Sequence, residues 1–441
     1  MYVVGKTGKG KSKLLVNCLY QDIVGGRACG VIDPHSDLVS DVLAMLYKSG
    51  ELDRQHERII YLNPADTHYI VPFNVLATPG DPYEVAQMVI ESFRRAWPES
   101  LSSAPHFANI MLHALLVLIH AKLTLIDLPR LLTNKDFRRS LLSSVNIPEL
   151  TEYFEERFDA WSAKDPRLLE SSLNKVTALT LNPYIKRMLG QRENRLDFAT
   201  IMREKVLLCD LGHCGEESQR LIANMINCSI EHAAFARDSL PHKERIPFYW
   251  YIDEFQDFVT DGADRGGVKT LSKILSGARK YGLHLTLANQ NLSQLSERMI
   301  GAIIGNVWTK IIMGCSEQDA FIFARYIGLG SIDPTAIKHQ AQTDTQHPMY
   351  YPLSEQENHL AAMLANQKPR QAIVRTHEGK TKQLWTVAVD TYAPDHELSN
   401  FRRTSLMQYG NTFEQAEAEL ARLYEEIVPQ TVPAIEVAEA D

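Results

Sequence analysis

Two periodicities divide this chain. At both ends, short runs of consecutive apolar residues alternate with helical stretches. Tyr2-Val3-Val4, Cys29–Asp33 and Arg58–Leu62 read as buried strands, with helices between them that cover 13–19 and end near Tyr47. From Pro82 to Arg203 the strand runs vanish, and apolar residues recur at helical spacing, as in Val85, Met88, Val89, Ser92 and Phe93. Leu173, Val176, Leu179 and Leu181 continue that spacing. The α/β pattern then resumes with strands at Lys205–Leu211, Phe248–Ile252, Leu283–Ala288, Val307–Met313 and Gln371–Thr376, and an edge strand at Gln383–Val389. Glu216–Arg237 and Gly266–Tyr281 read as helices between them, and Glu414–Ile427 as a charged helix near the end. Strands alternating with helices imply a mainly parallel sheet covered on both faces. The expected organisation is an α/β nucleotide-binding domain in two parts, 1–81 and 204–394, an all-α insertion over 82–203, and a C-terminal helix with an acidic disordered tail over 395–441.

The first strand leads into Gly5-Lys6-Thr7-Gly8-Lys9-Gly10-Lys11-Ser12, which fits the phosphate-loop pattern G-x-x-x-x-G-K-[ST] without a mismatch. Strand, loop and helix follow in the order that the motif needs. Glycines let backbone N–H groups turn inward around a polyphosphate, and the following helix adds its dipole. Gly5, Thr7, Gly8, Gly10, Lys11, Ser12 and Lys13 form the expected nucleotide-binding set. Lys11 is expected to reach the β- and γ-phosphates of ATP, and Ser12 to ligate Mg²⁺.

The other half of the site is Tyr249-Trp250-Tyr251-Ile252-Asp253-Glu254. Its apolar residues bury a strand and deliver two adjacent carboxylates at the strand's C-terminal end, where parallel sheets bind ligands. Asp253 is expected to hold Mg²⁺ and Glu254 to activate the attacking water. Gln290, at the end of the next strand, is a candidate sensor of the γ-phosphate. Arg279 is a candidate cation for the nucleotide of a neighbouring subunit.

Charge alters this picture only locally. The net charge of −8 argues against a generally basic nucleic-acid binder. Residues 413–441, however, hold eight acidic residues and one arginine, so the rest is near −1 and a local basic surface is compatible with it. The six cysteines form no C-x-x-C pair, which fits a reducing, cytosolic setting. No signal peptide is visible, and Ile110–Leu125 is shorter and more polar than a bilayer span. The phosphate loop begins five residues from Met1, so a membrane anchor, if there is one, is expected upstream.

The chain resembles the HerA–FtsK superfamily of ring-forming P-loop motor ATPases, and within it the type IV secretion coupling proteins of conjugative DNA transfer, the TraG/TraD-like group. The resemblance rests on residues 5–12, Asp33–Leu38, Tyr251–Phe255, Gly277–Gln290 and Asn174–Gln191, and covers about 1–390. It implies a RecA-like fold, a homo-hexamer, and DNA, single- or double-stranded, driven through a central channel. It further implies a secretion-channel or relaxase partner, and a cytoplasmic location at the inner face of the plasma membrane. Arg279 falls where the family has its arginine finger, and Gln290 where it has its sensor. Ser36 stands where the family usually has glycine, and Asn289 where threonine is common. The alternatives are an ATPase that moves protein through a secretion channel, and a nucleotide-gated scaffold with little turnover.

Overall fold

The computed structural model describes residues 1–101, 105–160, 173–175, 177, 181–258, 274–275, 277–328, 337–339, 349–350 and 352–426 of the 441. Two compact units divide the chain, one of Met1–Ala65, Gln87–Ala104 and Leu196–Tyr409, the other of Asp66–Ala86, Pro105–Arg195 and Gly410–Asp441.

The first unit is built on a nine-stranded sheet. In chain order its strands are β1 (Tyr2–Val4), β2 (Ala28–Asp33), β3 (Ile59–Leu62), β4 (Val206–Asp210), β5 (Phe248–Ile252), β6 (Leu283–Asn289), β7 (Lys310–Met313), β8 (Gln371–Arg375) and β9 (Thr381–Trp385). The spatial order is β9-β8-β7-β1-β6-β5-β2-β4-β3. All contacts among β1 to β7 are parallel. β8 runs antiparallel to β7 and to β9. The architecture is the mainly parallel α/β sheet that the alternation predicts.

The parallel strands are continuous apolar runs because both faces are covered. β1, β2, β3 and β4 are buried at every residue. In β5, Phe248 and Trp250 are buried, and the indole N–H of Trp250 donates to Asn227 Oδ1 at 2.8 Å. Each such side chain contributes about 1.5–3 kcal/mol by leaving water. Two strands differ from expectation in extent. β7 starts at Lys310, because Val307 closes the helix Glu297–Asn306. β9 ends at Trp385, because the Thr386 N–H turns to the Arg370 carbonyl at 2.8 Å.

The second unit is mainly helical, with Pro105–His120, Lys135–Val145 and Pro183–Leu189 among its helices. Asn182 caps the last of these, its Oδ1 accepting from the N–H groups of Tyr184 and Ile185. The charged helix Phe413–Glu426 belongs to this unit. Arg187 pairs with Glu417 at 2.7 Å, and Gln191 Nε2 donates to the Ala416 carbonyl at 3.3 Å. Set beside the expected insertion 82–203, the second unit also takes in 66–81 and 410–441, whereas Gln87–Ala104 and 196–203 belong to the first unit. The expected helix from Gly266 is described only at Ile274, Leu275, Gly277 and the 3-10 turn Ala278–Tyr281. Val176 and Leu179, and the acidic tail from Val428, lie outside the described residues. Among the described residues no helix is long and apolar enough to cross a membrane.

Candidate nucleotide site

The parallel strands end on one edge of the sheet, and the sequence places its polar residues there. The turn after β1 carries Gly8 at φ 78° and Gly10 at φ 100°, left-handed conformations that side chains disfavour. A Cβ on Gly5 would lie 2.8 Å from the Met313 Cβ, so only glycine fits where the loop leaves the sheet. Helix α1 (Lys11–Val24) starts at once, and its first-turn N–H groups face the loop without intrahelical partners.

Lys11, Asp253 and Glu254 converge there. Each is at most 7% exposed. Lys11 Nζ lies 3.4 Å from Asp253 Oδ1 and forms a short ion pair with Glu254. Gln290 Nε2 donates to Glu254 Oε1 at 3.1 Å, Gln256 Nε2 donates to Glu254 Oε2 at 3.0 Å, and Thr7 Oγ1 donates to Gln290 Oε1 at 3.1 Å. One hydrogen-bonded chain therefore runs from the phosphate loop through the end of β6 to the end of β5. Burial pushes the Glu254 carboxyl up, but Lys11 and the two glutamine amides pull it below the ordinary glutamate range. Burial wins at Asp253, which is raised in spite of Lys11. Glu254 is also one of few non-glycine residues with positive φ, at 45°. Such strain of about 1–3 kcal/mol persists where the surroundings over-determine it, commonly at functional sites.

The donor set suits a Mg²⁺-nucleotide. Ser12 is half-buried in the first turn of α1, and Asp253 ends β5. Among the described residues no group of three or more His, Cys, Asp or Glu could hold a metal by itself. Mg²⁺ needs no such cage, since it retains waters and binds through one or two protein oxygens and the phosphates. The Lys13 ammonium is engaged by Asp41 Oδ2 at 2.6 Å and Thr391 Oγ1 at 2.7 Å, which leaves its backbone N–H to face a phosphate.

Arg279 is not in this constellation. It lies in the turn before β6, whereas Gln290 follows the strand's other end. Seven strand residues separate them by about 20 Å. The Arg279 guanidinium lies over the Trp308 ring, 3.5 Å from its centroid, and Trp308 stacks on His377 at 4.6 Å. A cation so placed cannot serve the nucleotide site of its own subunit.

Several residues at the ligand edge carry no role in the sequence reading. Asp33 ends β2 and accepts the N–H groups of His35 and Val39, both at 2.9 Å. Burial raises its carboxyl to about 6, against those two bonds. Ser36 sits at φ 69°, the left-handed region that favours glycine, and its Oγ donates a short bond to Asp210, which also accepts from Tyr61 at 2.6 Å. The backbone at this position is therefore one that glycine would adopt without strain. Arg370, also left-handed at φ 67°, donates its N–H to the Lys9 carbonyl at 2.8 Å, and Lys9 Nζ donates to the Gln367 carbonyl at 2.7 Å. Two loops are thereby tied at the apex of the phosphate loop.

Residues 247–364 match the family model described as the TraM recognition site of TraD and TraG. No curated protein gives a significant sequence match. Among solved structures, the plasmid coupling protein TrwB in complex with ADP and Mg²⁺ is similar at 16% identity and a TM-score of 0.61, over 89% of this chain and 86% of that one. TrwB in complex with a non-hydrolysable GTP analogue is similar at 17% and 0.58, over 89% and 85%. The VirB4 structure from Thermoanaerobacter pseudethanolicus is similar at 14% and 0.51, over 90% of each chain. Over residues 247–364 the chain thus matches the TraD and TraG family model, and over most of its length it shares the fold of the TrwB structures.

Proposed function

We propose that this protein is an ATP-hydrolysing ring motor that moves DNA as the coupling ATPase of a conjugative or mobile-element type IV secretion system. The observation that carries the reading is the convergence of Lys11, Asp253, Glu254 and Gln290 on the phosphate loop. In this reading, Gly5, Thr7, Gly8, Gly10 and the N–H groups of Lys11 to Lys13 cradle the phosphates. Lys11 leaves Glu254 for the β- and γ-oxygens, Ser12 and Asp253 hold Mg²⁺, and Glu254 takes a proton from the attacking water. Gln290 bridges Thr7 and Glu254 and so registers loss of the γ-phosphate. Arg279, remote from its own site, acts on the next subunit of a homo-hexamer. A cytoplasmic setting beside a membrane channel, with relaxase and TraM-like partners, accords with the family of the 247–364 segment.

A second reading is an ATPase that moves protein, which the same nucleotide site would serve equally well. Phosphate release with and without single- and double-stranded DNA decides between them. Stimulation by DNA that disappears in Glu254→Gln, with ATP still bound, is the expected result. A Glu254→Gln variant that hydrolyses ATP at the normal rate refutes the site, and hydrolysis indifferent to DNA favours the second reading.

A further inference from the structure

We infer that the segment Trp385–Tyr392 is the nucleobase site of the nucleotide whose phosphates the loop cradles; the inference rests on the nucleotide reading above. The sheet order supplies the direction. From β1, one side leads to β6 and β5, which present Gln290, Asp253 and Glu254. Those groups, with Lys11, mark the γ-phosphate end. The nucleoside must therefore leave the loop on the other side, toward β7, β8 and β9.

Everything that lies there returns to the ligand edge. β8 starts at that edge, since Ala372 pairs with Met313 at the end of β7. β9 ends at that edge, since Trp385 pairs with Gln371. The chain then runs along the loop. Thr386 is fastened to Arg370, which is itself fastened to Lys9. Thr391 accepts from Lys13, the residue whose N–H faces the α-phosphate side of a phosphate loop, and Asp390 pairs with Lys48 at the end of α2 (Asp37–Lys48). Hence 385–392 is anchored at both ends against the phosphate loop.

The anchored segment is apolar where it is free. Trp385 is 56% exposed, Val387 66% and Tyr392 78%, whereas Thr386 between them is buried. Two aromatic rings and an aliphatic side chain are exposed within eight residues, on a segment tied to the phosphate loop through Arg370 and Lys13. Flat apolar faces beside a phosphate cradle suit a purine, which every nucleoside triphosphate of this class presents for stacking. Arg370, whose Cγ would touch a Cβ on Gly10 at 3.4 Å, closes the wall between base and phosphates.

The test compares ATP with inorganic tripolyphosphate on the full chain, by calorimetry and by Trp385 fluorescence. Trp385→Ala and Tyr392→Ala are each expected to weaken ATP binding about 5- to 100-fold, the range of base–aromatic stacking. Tripolyphosphate should bind as it does to the parent, and Trp385→Phe should restore most of the ATP affinity. Both residues are exposed, so melting temperatures should hold. Equal loss for both ligands, or no loss for ATP, overturns the inference while leaving the phosphate site standing. Parent protein that binds neither ligand overturns both the nucleotide reading and this one.

Discussion

Replacing Lys11 by alanine removes the cation that, among the described residues, the two buried carboxylates share. Asp253 and Glu254 stand together at the C-terminal end of β5, each about 5% exposed, and both face Lys11. Breaking a buried pair by deleting one partner costs about 3–5 kcal/mol, since a buried charge is left uncompensated. Here proton uptake limits the loss. Without Lys11, only the Gln256 and Gln290 amides oppose burial, and the Glu254 carboxyl rises above its position in the parent. The penalty should therefore be largest near pH 8 and shrink as pH falls toward 5. In the parent the sign is opposite: Glu254 is depressed, so its contribution is present above about 4.5 and lost as pH falls through its lower folded value. About 3 kcal/mol corresponds to roughly 6–12 °C in melting temperature for a unit of this size. Thermal unfolding of the ligand-free parent, Lys11→Ala, Glu254→Gln and the double variant, at pH 5 and pH 8, measures the coupling. The double variant should recover about 2 kcal/mol relative to the sum of the singles at pH 8. Lys11→Ala should also lose hydrolysis and bind ATP weakly. Equal melting of parent and Lys11→Ala at both pH values would refute the reasoning, because the ion pair would then not hold in solution.

Arg279→Ala should bind ATP nearly as the parent does, yet hydrolyse it ~10³-fold more slowly. Rings mixed with Glu254→Gln should recover activity above the sum of the two, and no recovery in verified mixed rings rejects action in trans. Ser36→Ala loses the bond to Asp210 and retains the left-handed strain, so it should be about 1–2 kcal/mol less stable. Ser36→Gly loses the bond but relieves the strain, and should fall within about 0.5 kcal/mol of the parent by denaturant unfolding. Asp33, raised to about 6, binds a proton more tightly folded than unfolded, so its contribution to stability falls as pH rises from about 4 through 6. The difference between Asp33→Asn and the parent should therefore move in the variant's favour by roughly 2–3 kcal/mol between pH 4 and pH 7. An unchanged difference across that range contradicts the assignment.

The phosphate loop and the Asp253-Glu254 pair were legible because each is contiguous in sequence and needs only a strand end to place it. Gln290 was legible through the same logic, as the polar residue after an apolar run. The wall beside the loop was not, since Arg370 and Trp385 reach the ligand edge only because β8 reverses direction, and nothing in an apolar run states its polarity. The left-handed backbone at Ser36, Glu254 and Arg370 was hidden for a related reason. Positive φ is written in the sequence mainly by glycine, and these positions bear side chains that tertiary bonds hold there. The reach of the helical unit to 66–81 and 410–441 was equally hidden, because Arg187 and Glu417 lie 230 residues apart.

The strand β6 has a property that matters for timing. It carries Gln290 beyond one end and Arg279 before the other, and it pairs with β5 over Leu283–Leu287 and with β1 over Leu287–Asn289. An extended strand held in a sheet is near its full length, about 3.3 Å per residue, so its two ends keep their separation. In a closed ring of the proposed kind, the two ends would face the clefts on opposite flanks of one subunit. A tilt that draws Gln290 toward one nucleotide then moves Arg279 by a like distance at the next. Successive clefts would fire in an order set by geometry, with the backbone acting as a tie rod, and no chain of side-chain rearrangements would be needed to relay the signal.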